Sequence, residues 1–96
     1  MTIEQKIQNG SLARDVLENP IYVKAVADIK QELIYTWQST PARDVEGRER
    51  LYMMLKMLEK VSQALTNTME TGTLALEDLK YQQSLLDKVR DAVGLS

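Results

Sequence analysis

Between residues 20 and 38, Tyr22, Val26, Ile29, Leu33 and Trp37 recur at steps of four, three, four and four. Such spacing places them on one face of a helix, with Ala25 and Ile34 flanking the stripe and Lys24, Asp28, Gln31, Glu32 and Gln38 away from it. Asn19-Pro20 suits the start of this helix. The Asn side chain accepts from unpaired backbone N–H groups, and Pro at the first helical position gives up a donor that would lack a partner anyway. Ser39-Thr40-Pro41 marks its end.

A second periodic stretch begins near Arg48. Leu51, Met54, Leu58, Val61 and Leu65 alternate three and four apart, a coiled-coil type of seam that continues to Thr68 or Met69. Two starts are open for this helix: Thr40 capping with Pro41 first, or Asp44 capping. The expected span is 41–71, with Asp44 and Glu46 complementing the positive N-terminal end of the helix dipole. Gly47 then falls on the inward face, where it admits a close backbone, unless it marks a break. Thr71-Gly72 reads as a C-terminal stop, since glycine takes the left-handed conformation without steric cost. Thr73 can cap a last helix over 73–93, with Leu76, Leu79, Leu86, Val89 and Val93 inward, Gln82 or Gln83 interrupting, and Gly94 ending it. So short a connection folds this helix back antiparallel on its predecessor.

The first ten residues are polar and end in the turn signal Asn9-Gly10, so they read as frayed or as a loose helical turn. Ser11 can cap a short helix over 11–18 with Leu12, Val16 and Leu17 as its apolar contacts. The expected fold is therefore all-α and a single domain over 1–96. A long antiparallel hairpin carries one further packed helix and a short N-terminal one, and copies assemble into an oligomeric bundle. From Asp44 to Thr71 alone a helix measures roughly 40 Å. A compact chain of this length has a radius of gyration of about 12–13 Å, so a rod or hairpin is implied.

Residues 51–58 carry two apolar stripes side by side, Leu51, Met54, Leu55 and Leu58 in one and Met53 with Met57 in the other. Either the helix is central in its own bundle, or the adaptable methionines form an interface between chains. The packing seam and oligomer interface expected from this pattern comprise Leu51, Met53, Met54, Met57, Leu58, Val61 and Leu65. Tyr22 and Trp37 read as core, and Tyr35, Tyr52 and Tyr81 as edge residues that keep their hydroxyls wet.

Composition mainly excludes. The 96 residues include no cysteine and no histidine, so thiolate chemistry, the commonest general base and the commonest transition-metal ligands are absent. With 12 basic and 14 acidic side chains and a pI near 5.1, no basic stripe favours nucleic acid, although stacking of bases on the tyrosines is open in principle. No phosphate loop, calcium loop or zinc motif occurs. Asp44, Glu46 and Glu49 could at most hold Mg²⁺ weakly. No apolar run reaches the ~18 residues of a membrane span, and the polar start is no signal peptide, so a cytoplasmic protein is expected. The densest charge lies at Arg43, Asp44, Glu46, Arg48, Glu49 and Arg50. Glu46 and Arg50 are placed to pair across one turn. Arg43, Arg48 and Arg50 could hold an anion or a partner at the helix start, or be solvated ends of weak ion pairs.

Trp37, Thr40, Asp44, Glu46, Arg48, Glu49 and Leu51, following Ala13-Arg14 and Asn19-Pro20, resemble in their spacing small uncharacterised helical proteins encoded by tailed bacteriophages. The resemblance extends loosely over residues 12–72. It implies a virus-encoded protein acting in an infected bacterium or in the virion, and it carries no activity, cofactor or site residue with it. The long hairpin also looks like the oligomerisation region of a small terminase subunit, without the basic helix–turn–helix region that accompanies it there. The expected function is non-enzymatic: a homo-oligomeric assembly or adaptor protein of a phage (head, packaging or virion assembly). Its partners are other copies of itself and a further protein, with no cofactor, no membrane and no nucleic acid. The alternative is a small phage inhibitor, or a nucleotide-binding sponge, that neutralises a host defence enzyme or signal.

Overall fold

The computed structural model describes residues 1–94 and contains three helices: α1 (Ile3–Glu18), α2 (Pro20–Ser39) and α3 (Val45–Ala92). No strand occurs among the described residues. As α1 and α2 advance through Gly10, Tyr22 and Leu33, the positions they meet on α3 retreat through Gly72, Ser62 and Leu51. The hairpin is thus formed by α1 and α2 in succession, laid antiparallel along one 48-residue helix. It measures 77 × 24 × 18 Å, with a radius of gyration of 21.9 Å against about 12.5 Å for a compact chain of this length.

Two expected boundaries do not exist. The N-terminal residues are neither frayed nor a separate turn, and Ser11 caps nothing. Thr2 starts α1 with a capping box, its hydroxyl accepting from Gln5 N at 3.1 Å while Thr2 N donates to the Gln5 side chain at 2.9 Å. Gly10 lies inside this helix. Likewise, Thr71-Gly72 is no stop and Thr73 no cap. The helices expected over 41–71 and 73–93 are one, and the Thr73 hydroxyl donates back to Met69 O at 3.1 Å.

The reason for both is the same contact. A Cβ on Gly10 would lie 2.7 Å from Gly72 Cα, and one on Gly72 would lie 2.7 Å from Gly10 Cα and 2.8 Å from Lys6 O. The two helices touch backbone to backbone there, and the only buried residues described are Gly10, Ala13, Gly72 and Ala75. Each glycine lowers local helix propensity by about 1 kcal/mol relative to alanine, and close packing along the crossing offsets that cost. On α1, Leu17 is half-buried, whereas Leu12 and Val16, expected as contacts, are exposed.

The other punctuation works locally. Asn19 caps α2, its side chain accepting from Ile21 N at 2.8 Å and Tyr22 N at 3.3 Å, with Pro20 at the first position. α3 starts after Asp44, the second of the two open starts, and Asp44 accepts from Gly47 N at 3.1 Å. Gly47 neither breaks the helix nor receives another backbone. A Cβ there would collide with the Asp44 carboxylate, so the missing side chain makes room for the cap. Gly94, at φ 73°, follows the end of α3 as expected.

Candidate interaction surface

At the tip of the hairpin a small clasp joins α2 to α3. Along the last turns of α2, hydroxyls donate back to carbonyls four residues earlier, Thr36 to Glu32 O, Ser39 to Tyr35 O and Thr40 to Thr36 O, at 2.7–3.0 Å. Of these, Thr36 O belongs to the last four carbonyls, which lack helical donors. Arg48, reaching across from the first turn of α3, donates to Thr40 O at 3.1 Å and Trp37 O at 3.4 Å. Its guanidinium stacks over the Trp37 ring, 4.2 Å from the centroid. A cation thus sits at the negative end of the α2 dipole and on an aromatic face at once. Arg48 is half-buried and committed to this role, while Arg43 and Arg50 are exposed. Glu46 and Arg50 form no ion pair; the two found among the described residues are the exposed Lys24–Asp28 and Lys56–Glu59.

Beyond the clasp, Leu33, Ile34, Trp37, Leu51, Tyr52 and Leu55 line an open apolar groove of about 290 Å³ between α2 and α3. Trp37, expected in the core, is therefore not core: it is 43% exposed. Tyr22 is half-buried, its hydroxyl 3.3 Å from that of Ser62. Tyr35, Tyr52 and Tyr81 are exposed, as edge residues should be.

The seam on α3 differs from the expected one at every second step. Leu51, Leu58 and Leu65 face the hairpin partner, as does Met69 where the seam was expected to continue, but the residues between the leucines that do so are Leu55 and Ser62. Met54 and Val61, expected in the seam, are half exposed. Steps of three or four are equally compatible with a helical stripe; Met54 and Leu55 are both apolar and share the stripe over residues 51–58, and apolarity favoured Val61 over the polar Ser62. The hydroxyl of Tyr22 is what makes a serine acceptable at the inner position.

Met53 and Met57, 65% and 62% exposed, are not core of this chain. With Met54 and Val61 they form an apolar flank beside the seam. Helical periodicity puts Tyr52, Lys56 and Glu59 on the opposite flank. On α2, Lys30 and Ile34 line grooves together with Glu59 and Tyr52, which leaves Ile29 on the methionine side. The result is a two-helix apolar surface without a covering layer.

Chemically the chain offers little. No group of three or more His, Cys, Asp or Glu is placed to hold a metal ion among the described residues, so Asp44, Glu46 and Glu49 do not form such a set. No described helix is long and apolar enough to cross a membrane. What the arrangement defines is an elongated all-α hairpin with exposed apolar flanks. No protein-family model, curated protein or solved structure shows significant similarity to the chain.

Proposed function

We propose that the protein is a non-enzymatic, homo-oligomeric assembly or adaptor protein of a tailed bacteriophage, working in head, packaging or virion assembly. The observation that carries this reading is surface area. The chain exposes 7761 Å², whereas a folded monomer of 10.9 kDa exposes about 5,600 Å². The excess of about 2,200 Å² is of the size that obligate subunits cover between them. A contiguous apolar part of the exposed surface is the flank of Met53, Met54, Met57 and Val61, where methionine side chains adapt to a partner's shape.

The phage attribution draws on the resemblance over residues 12–72. Trp37, Thr40, Asp44 and Arg48, which carry it, build and cap the hairpin tip, so the likeness supports a shared hairpin more than a shared ligand site. The nucleotide-sponge alternative needed Arg43, Arg48 and Arg50 together at an anion. Arg48 is engaged by the clasp, and no feature of the surface favours that alternative.

The test is absolute mass in solution, by light scattering coupled to size exclusion, over about a hundredfold range of concentration. A multiple of 10.9 kDa is expected, and Met53→Glu should break the assembly down while far-UV circular dichroism keeps its helical signal. A monomer throughout, a variant of unchanged mass, or loss of helix in the variant would each overturn the reading.

A further inference from the structure

The inner positions of α3 and its capping residue Val93 form an unbroken seven-residue repeat: Leu51, Leu58, Leu65, Gly72, Leu79, Leu86 and Val93. The first five face α2 or α1. Then the cover stops, because the capping box at Thr2 begins α1 level with Ala75 and Asp78. From Lys80 to Ala92, α3 continues alone for about 20 Å. On this overhang Leu86 and Val93 are 64% and 60% exposed, and Val89 completes the stripe. Lys80, Ser84, Asp87, Lys88 and Asp91 all fall on the outer positions of the repeat. The overhang therefore has the patterning of a coiled-coil helix and, among the described residues, no helix opposite it.

We propose that the occupant is a second copy of this chain, the two overhangs pairing antiparallel, tail to tail, so that each continues the line of the other's α1. Three observations select this occupant. The exposed stripe continues, in the same register, the packed interface between α1 and α3. One apolar stripe of this kind is self-complementary about a two-fold axis, so the same patch serves both chains. The charges near it interleave in sign, so a second copy meets no block of like charge.

Direction and register follow from α1. In a parallel pair, both α1 helices would sit between the two α3 helices, and these would have to splay by a helix diameter within a turn. In an antiparallel pair the repeat allows Leu79 or Leu86 to lie opposite the partner's Val89. The first choice drives the partner's Val93 onto the level of Ala75, which Ile3 already covers. The second stops the partner's Val93 at Gln82, clear of α1. Leu85, Leu86, Val89 and Val93 of the two copies together can bury at most about 700 Å², less than the ~1,200–2,000 Å² of a stable complex, so the pairing is reversible.

The absence of cysteine allows a single-site test in the full chain. Spin labels on Lys80→Cys should lie about 25 Å apart in the pair, from ~1.5 Å per residue along the axis and ~10 Å between helices. Their coupling should strengthen with concentration up to about 1 mM, weaken at least tenfold in Leu86→Glu, and be unchanged in Ser84→Glu on the outer face. It should also persist when Met53→Glu is added, which separates this contact from the methionine flank. No coupling at any concentration, a distance near 10 Å as in a parallel pair, insensitivity to Leu86→Glu, or loss with Met53→Glu would overturn the proposal.

Discussion

Replacing Gly72 by alanine turns the helix crossing into a question of sign. In a solvated helix interior, Gly→Ala stabilises by about 1 kcal/mol, because alanine has less backbone freedom to lose on folding. At this position the new Cβ would meet Gly10 Cα at 2.7 Å and Lys6 O at 2.8 Å, where ordinary contact begins near 3.4 Å. Both obstacles are backbone in an intact helix, so neither can rotate away. The helices must open by roughly 1 Å, an overpacking cost of about 1–3 kcal/mol. The net effect should be a destabilisation of ~1 kcal/mol, or about 4–8 °C in Tm for a chain of this size. Gly10→Ala should behave in the same way. Once the crossing has opened for one methyl group it has largely opened for the other, so the double variant should lose less than the two single losses combined. Urea titration followed by circular dichroism measures all three. If either single variant gains stability, α1 does not rest on α3 at Gly72, and the account of why α3 is continuous fails with it.

Two further outcomes follow from the local contacts. Arg48→Ala removes two charge-assisted hydrogen bonds and the stack on Trp37, and should cost about 1–2 kcal/mol in urea unfolding; Arg48→Lys should not restore it, because lysine lacks the planar fork. Thr2→Ala removes the capping box and should cost about 1 kcal/mol, with amide exchange accelerating at the start of α1 and unchanged in α2; uniform acceleration would contradict a local cap.

The charged patch near the hairpin tip shows how a site can look functional in sequence and prove architectural in space. Arginines beside a helix start are a reasonable anion trap, and Trp37 stands eleven residues from Arg48 with nothing local to connect them. Only the reversal of the chain at Pro41 brings the guanidinium over the ring and onto the α2 carbonyls. Met53 and Met57 went the other way. Periodicity left them as either core or interface, and their exposure in the folded chain removes the first choice.

What the sequence determined by itself is what short-range physics controls. The helical class, the inward Tyr22, Val26 and Leu33 of α2, the Asn19-Pro20 start and the Gly94 stop all depend on side chains within a few residues of the backbone they cap or turn. The inner leucines at 51, 58 and 65 were legible too, since a seven-residue step has no competing register. Tertiary structure decided the rest. Asn9-Gly10 and Thr71-Gly72 carry every local mark of a break, yet each glycine is there because the other helix's backbone lies against it. A glycine in a turn and a glycine in a helix crossing are the same letter, and residues 62 positions apart in the chain settle which it is. The repeat that passes through Gly72 unbroken was the one signal in the sequence that could have revealed the continuous α3. The choice between Val61 and Ser62 likewise waited on Tyr22, because a hydroxyl from across the hairpin is what lets serine face inward.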